Sequence, residues 1–338
     1  MENDCGDYIA EYDALRESAG VLDLSSRSRL CLVGNDRARF LHGQVTNDVK
    51  KLRPGEGCYA AMTTNKGKME SDMNIFILPD ELLLDFEAGL TEKISARLEK
   101  FIVADDVQIV DAAPHYGLLS VQGPKAGEVV RALNLIPEIP VKQFASVKIS
   151  DAHLGEIYLA NNSRLGTGGF DLFVPNDSLD VVADKLIAAA KNSGGGKCGL
   201  TAFEIVRIEN GIPRFAVDMD ETNIPLECGV EARAIVYNKG CYIGQEVINR
   251  IHSIGHVNRE LRGLRLAADL ESIPVKGDKL FFNGKEVGYI TSAVKSPAFG
   301  NIALGYVRRE ANQTGTELIL RTASGESAIK IMATPSRE

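Results

Sequence analysis

The chain has 338 residues, 44% of them hydrophobic and 25% charged, with a formal net charge of −8. That length and apolar content can fill a sizeable core divided over two or three domains, and no run comes near the roughly 18 consecutive apolar residues that span a bilayer. An acidic balance without a long Lys/Arg run argues against a nucleic-acid binder, because neutralising phosphates needs a basic face. The first residues, Met1-Glu2-Asn3-Asp4-Cys5-Gly6-Asp7, lack the basic region of a secretory peptide and the Arg-rich face of a transit peptide, so a soluble, cytoplasmic protein is expected. The six cysteines, Cys5, Cys31, Cys58, Cys198, Cys228 and Cys241, are scattered without C-x-x-C spacing. They read as reduced thiols, with no metal site among them.

In chain order, Ile9, Tyr12, Leu15 and Ala19 recur at helical spacing, predicting an amphipathic helix over 7–19. Strands are expected over 20–25 and 29–34, followed by a helix that Asn35-Asp36 caps and that carries Ala38, Phe40, Leu41 and Val45. Residues 58–63 and 69–78 flank the break Asn65-Lys66-Gly67 as a hairpin; a strand over 82–86 and a helix over 92–102 complete that unit. A second round gives strands over 116–121, 148–151, 156–160 and 170–174, with helices over 125–133 and 178–190. The latter helix stops at Ser193-Gly194-Gly195-Gly196, where a C-cap favours positive φ. Gly194-Gly195-Gly196-Lys197 lacks the spacing and the preceding strand of a phosphate loop. A helix over 202–210 ends at Gly211-Ile212-Pro213, and short strands over 261–266, 279–282, 285–294, 303–306 and 317–322 have the cadence of a barrel or sandwich.

Two stretches carry candidate chemistry. In Asn238-Lys239-Gly240-Cys241-Tyr242-Ile243-Gly244-Gln245-Glu246, two glycines bracket a lone cysteine and a lysine precedes it by two residues. A nearby cation lowers a thiol pKa from about 8.5 toward neutrality, so Lys239 is expected to tune Cys241. The alternative is a small buried residue beside a Gly-rich turn. In Arg207-Ile208-Glu209-Asn210-Gly211-Ile212-Pro213-Arg214, the carboxylate of Glu209 can take paired N–H donors from a flat heterocycle, or pair with Arg207 or Arg214. Arg233, Lys239, Arg250 and Arg259 read either as a positive funnel or as solvated charges. Tyr242 either packs under its loop or stacks on a ring. Asn223 and Glu227 either line a channel or serve loop hydrogen bonding. His252 and His256 lack an acidic partner at metal-ligand spacing.

The run Lys239-Gly240-Cys241-Tyr242-Ile243-Gly244-Gln245-Glu246 resembles the Lys-Gly-Cys-Tyr-x-Gly-Gln-Glu motif of the YgfZ family, folate-binding relatives of the glycine-cleavage T-protein. Similar texture occurs at 40–49, 52–55, 168–171, 218–227 and 288–292, so the likeness covers nearly the whole chain. The resemblance implies an α+β fold of three lobes around a central channel: two α+β domains with mainly antiparallel sheets and a C-terminal β-barrel. The expected divisions are a discontinuous folate-binding domain of residues 1–51 with 143–255, a second α+β domain of 52–142, and a barrel of 256–338.

The same resemblance implies tetrahydrofolate as cofactor. Glu209 then matches the glutamate that holds the pterin, and Asp72, Tyr242, Arg233 and Arg250 stand as further folate contacts, with Cys241 and Lys239 as the catalytic pair. The paired carboxylates of the aminomethyltransferases correspond here to Ser71-Asp72 within Gly67-Lys68-Met69-Glu70-Ser71-Asp72-Met73, which puts ordinary one-carbon transfer in doubt. The implied role is support of iron–sulfur cluster assembly or repair through Cys241, in transient contact with iron–sulfur enzymes or assembly factors, by a monomer that needs neither nucleic acid nor membrane. The rival is a folate-dependent aminomethyltransferase or demethylase in which Asp72 is catalytic. A third option is a folate-binding regulatory module.

Overall fold

The structure, a computed structural model, describes residues 8–333. Cys5, the first residue of the expected N-terminal helix and the tail beyond Pro335 lie outside the described residues. Helix α1 (Tyr8–Glu17) buries Tyr12 and Leu15 and leads into β1 (Gly20–Asp23) and β2 (Ser28–Val33). Helix α2 (Arg37–Gln44) follows, but Asp36 does not cap it. Its carboxylate accepts the backbone N–H of Asp106 at 3.0 Å instead, tying the helix start to a distant loop.

Strands β3 (Gly57–Thr63), β4 (Met69–Ile77) and β5 (Leu82–Phe86) are the expected hairpin and its neighbour, and α3 (Thr91–Glu99) buries Ile94 and Leu98. Strand β6 (Gln108–Asp111) was not foreseen: it is a largely exposed edge strand and carries little apolar alternation. Next come β7 (Tyr116–Gln122), α4 (Ala126–Arg131), β8 (Ser146–Asp151), β9 (Gly155–Asn161), β10 (Gly169–Pro175) and α5 (Leu179–Asn192). The glycine run after α5 caps it, with Gly194 at φ 85°, and then forms β11 (Gly196–Lys197), the one strand in its sheet paired parallel, against β1. Helices α6 (Leu200–Glu209), α7 (Glu231–Ala234) and α8 (Gln245–Ile254) precede the C-terminal strands.

Those strands are β12 (Arg259–Arg265), β13 (Lys279–Phe282), β14 (Lys285–Ser296), β15 (Gly300–Arg308), β16 (Glu317–Thr322) and β17 (Gly325–Met332), closed as a barrel in the order β12-β15-β14-β13-β16-β17. The closing strand β17 escaped the sequence pattern because only Ile329 and Ile331 of its eight residues are buried. Without it both ends of the sheet would be open edges.

The two open sheets are β11-β1-β7-β10-β9-β8 and β3-β4-β5-β2-β6, so the fold is α+β with mainly antiparallel sheets and a barrel. They divide the chain at points other than the expected 51/52 and 142/143. Strand β2 pairs with β5 and β6, which assigns residues 28–33 to the second sheet; β7 pairs with β1 and β10, which assigns residues 116–122 to the first. Sheet membership follows long-range pairing rather than local pattern. A buried cluster containing Tyr59, Met69, Ile208, Tyr242, Leu261 and Tyr306 joins the second sheet, α6 and the barrel. No helix among the described residues is long and apolar enough to cross a membrane.

Candidate functional site

A cavity of about 300 Å³ opens where β4 meets α6 and the segment after it. Alternation along β4 turns Asp72 and Asn74 into it, and Ser71 to the opposite, fully buried face, where its hydroxyl donates to a backbone carbonyl. The serine at position 71 therefore removes no carboxylate from the cavity. The register Ala61↔Asp72 and Tyr59↔Asn74 makes Tyr59 a diagonal neighbour of Asp72, and its hydroxyl donates to Asp72 Oδ2 at 2.7 Å. Burial pushes the Asp72 carboxyl above the usual carboxylate range, against the pull of that hydrogen bond. Burial also holds the Tyr59 hydroxyl far above its ordinary range, so it stays a donor.

Phe144, Phe203 and Phe215 supply flat apolar wall. Most of the arginines at the cavity are already engaged. Arg27 bonds Asp85 at 2.8 Å, Arg164 lies between Asp85 and Asp171 at 2.7 Å from each, and Arg214 spans Glu87 at 2.9 Å and Glu204 at 2.7 Å. The Arg164 and Arg27 guanidinium groups hold Asp85 far below the usual carboxylate range despite its burial. Arg233 differs. Its guanidinium stacks over the Tyr59 ring at 4.3 Å and makes no ion pair with a described carboxylate. Below the cavity, buried Arg207 bonds Asp218 at 2.5 Å and Ser292 at 2.8 Å, while Thr291 and Ser292 each donate to Asp218 at 2.6 Å. This network fastens the barrel strand β14 to the cavity floor.

Of the expected catalytic pair and folate contacts, Asp72 and Arg233 reach the cavity, while Cys241, Lys239, Glu209, Tyr242 and Arg250 do not. Glu209 lies outside its lining with both oxygens taken: Tyr12 donates at 2.9 Å and Ser296 at 2.5 Å to one, Arg16 at 2.6 Å to the other. It docks α1 and the barrel onto α6, where the pterin-anchor expectation called for a carboxylate open to the cavity. The Lys239 ammonium is turned inward. Its buried Nζ donates to the backbone carbonyls of His42, Val45 and Asn47, each at 2.7 Å, and burial pushes the amine down to about 8. Tyr242 is buried in the cluster that joins the barrel, with the Lys239 ammonium 4.9 Å above its ring, so it packs rather than stacks on a ligand. Arg250 is exposed on α8 and absent from the cavity wall.

Cys241 is exposed, whereas Cys31, Cys58, Cys198 and Cys228 are buried. Its loop is held from both sides: Ile243 donates to the Gly43 carbonyl at 3.2 Å and accepts from the Thr63 hydroxyl at 2.7 Å. Gly244 turns the chain into α8 at φ +90°, and a β-carbon there would stand 2.5 Å from the Thr64 carbonyl, so the motif needs glycine at that point. The loop packs beside α2 and outside the cavity lining. Arg259, Glu227 and His256 border a separate polar cleft of about 950 Å³ on the barrel, and His252 bonds Glu231 beneath the ring of Tyr237. Asn223 is buried at a turn, accepting from the backbone of Asp220.

Sequence reasoning missed Tyr59, Glu87 and the Asp85–Arg164–Asp171 network, and named Arg214 only as a partner for Glu209, whereas it pairs with Glu87 and Glu204. The signal for Tyr59 was present in the hairpin itself, since counting back from the turn fixes the cross-strand register. The arginine pairs had no such signal, because their partners are 79 residues apart in the case of Arg164 and Asp85.

Residues 5–239 match the GCVT N-terminal domain, and residues 259–336 match the glycine cleavage T-protein C-terminal barrel domain. Among curated proteins, the aminomethyltransferase of Halalkalibacterium halodurans is 29% identical over 327 residues, covering 96% of this chain and 88% of that protein. The aminomethyltransferase of Bacillus subtilis is 28% identical over 327 residues, covering 96% and 89%. The solved glycine cleavage system aminomethyltransferase T from Bartonella henselae superposes with a TM-score of 0.85 at 22% identity, over 97% of this chain and 89% of that one, and is similar in fold. By the extent of the two domain matches, the chain belongs to the glycine cleavage T-protein family.

Proposed function

We propose that the chain binds tetrahydrofolate in the Asp72 cavity and takes part in one-carbon transfer of the aminomethyltransferase kind. The observation that carries this reading is Asp72 itself: a cavity-facing carboxyl raised by burial and aligned by Tyr59. The donor set suits the ligand. Phenylalanine faces match a flat ring, a carboxylate matches ring N–H groups, and unpaired Arg233 matches the carboxylates of a glutamate tail. When bound, tetrahydrofolate supplies an amine nitrogen that receives the one-carbon unit. Tyr59 holds Asp72 Oδ2, leaving Oδ1 without a described hydrogen-bond partner as the acceptor for a proton from an amine. Phe144, Phe203 and Phe215 limit water around it.

Calorimetric titration with tetrahydrofolate, combined with turnover on an aminomethyl donor, tests the reading. Asp72→Asn should retain binding and lose at least about a hundredfold in turnover, and Arg233→Ala should weaken binding. Full turnover in Asp72→Asn would overturn it.

Cys241 favours a second reading, in which the YgfZ resemblance extends to function and the loop serves iron–sulfur enzymes or their assembly factors from a cytoplasmic monomer. Its support is the exposure of the Cys241 thiol, alone among the described cysteines, on a motif loop held by hydrogen bonds. Restoration of iron–sulfur enzyme activity in cells lacking the protein tests the second reading: Cys241→Ala should abolish it, and a wild-type chain that restores nothing leaves only the first.

A further inference from the structure

Glu209 is committed to Tyr12, Arg16 and Ser296, so the flat ring of a folate needs another group to read its edge, and the turn before β8 presents one. The Ala145 N–H donates to the Lys142 carbonyl at 2.9 Å and closes that turn, with Phe144 at its third position. Phe144 has φ +63°, a left-handed conformation that glycine takes freely and a bulky side chain almost never adopts. The surroundings impose it from two sheets. The Phe144 N–H donates to the Asn161 carbonyl at 2.7 Å on β9, and on β3 a β-carbon at Gly57 would stand 2.9 Å from the Phe144 carbonyl oxygen, so glycine there makes the room.

Strain of this kind persists where it serves a site, and here its effect is local. Neighbours in an extended chain point to opposite faces, whereas Gln143 and Phe144 both line the Asp72 cavity. The turn thus sets a flat ring and a carboxamide side by side on one wall. Three carboxamides line that cavity. The amino groups of Asn74 and Asn162 are held by Asp85 at 2.9 Å and by Asp171 at 2.7 Å. Gln143 is exposed, and its two contacts are at the long limit, 3.5 Å to Asn162 Oδ1 and 3.4 Å from the Ser163 N–H. Its amide is therefore the one of the three that turns to a ligand at little cost.

We propose that Gln143 and Phe144 are the specificity-determining pair for the pterin ring of tetrahydrofolate, the Phe144 ring stacking on its face and the Gln143 carboxamide reading its lactam edge. The proposal rests on the cavity reading above and deepens it. The lactam edge carries an N–H beside a carbonyl, and a carboxamide carries an acceptor beside a donor, so two parallel hydrogen bonds form. Asp72 is then left for the amine that receives the one-carbon unit. Phe144 is fixed in advance by its turn, so little freedom is lost when the ligand stacks, whereas Gln143 exchanges weak contacts for the new pair.

Calorimetric titration of the full chain with tetrahydrofolate and with its 4-amino analogue tests the assignment. Gln143→Leu should weaken tetrahydrofolate roughly tenfold, the worth of two ordinary hydrogen bonds. Gln143→Glu sets a carboxylate against the ring carbonyl but towards the amino group of the analogue, and should move the ratio of the two affinities about tenfold or more toward the analogue. Phe144→Leu keeps bulk without a flat face and should lose roughly fivefold, with Phe144→Tyr restoring affinity to within about twofold of the wild type. Misfolding does not shift a ratio between two ligands of one shape, and the exposed Gln143 carries the test if Phe144→Leu does not fold. An unchanged ratio in Gln143→Glu, or equal losses in Phe144→Tyr and Phe144→Leu, would overturn the inference while tetrahydrofolate binding by the wild type stands. A wild type that binds neither ligand sinks the cavity reading itself, and this inference with it.

Discussion

Lys239 and Cys241 stand two residues apart in one loop and face opposite environments. The Lys239 ammonium is turned inward onto the carbonyls of His42, Val45 and Asn47, and the Cys241 thiol stands at the surface. The lysine is a staple between the motif loop and the end of α2 with the segment after it, filling three backbone acceptors.

Lys239→Met should therefore act on stability. It leaves three carbonyls short of a charged donor, at a cost of about 2–4 kcal/mol. Denaturant unfolding should show the loss, and protease nicking at 238–244 should rise.

Asp72 should show opposite signs for stability and turnover. Its folded pKa is raised above the unfolded value, so the cost of burying the charge is fully present above the folded pKa and is relieved as pH falls through it. Asp72→Asn should stabilise the protein at pH 7 and have little effect below pH 4, while removing the proton acceptor. Thermal melts at the two pH values check this; a destabilised Asn variant at neutral pH would contradict it.

The Asp85–Arg164–Asp171 network should govern acid tolerance. Asp85 is depressed by Arg164 and Arg27, so its contribution is present above the unfolded carboxylate range and lost as pH falls through the folded value. Arg164→Met leaves two buried carboxylates short of their partner, costs about 3–5 kcal/mol and should move the acid unfolding midpoint upward. Circular dichroism against pH reads both effects.

Glu209→Ala should cost stability rather than ligand affinity. It strands Tyr12, Arg16 and Ser296, three donors that dock α1 and β14, for about 2–4 kcal/mol. Tetrahydrofolate titration of the folded variant should stay within about threefold of the wild type, whereas a pterin anchor of about 1.5–3 kcal/mol would cost tenfold or more.

Thiol titration of the native chain should label Cys241 ahead of the buried cysteines of the described residues. The Cys58 and Cys228 thiols are both pushed up to about 12 by burial, so they should react only after denaturant is added. Fast labelling of Cys228 in the native state would mean that the joint between α6 and the barrel opens.

Local pattern was enough for the hairpin around Asn65-Lys66-Gly67, the amphipathic helices and most of the barrel strands, because alternation and turn residues are written into adjacent positions. Asp72 was named through the family resemblance, and its place on one face of β4 follows from period-two geometry. It failed where the outcome depended on a partner far along the chain. Nothing near Glu209 announces that Tyr12 and Ser296 will take its oxygens, and nothing near Lys239 announces three carbonyls from 42–47. A buried polar side chain goes to whichever complementary group the assembled fold brings within about 3 Å, so the residue types in each motif could be read in advance while their partners waited on the packing of the sheets, α6 and the barrel.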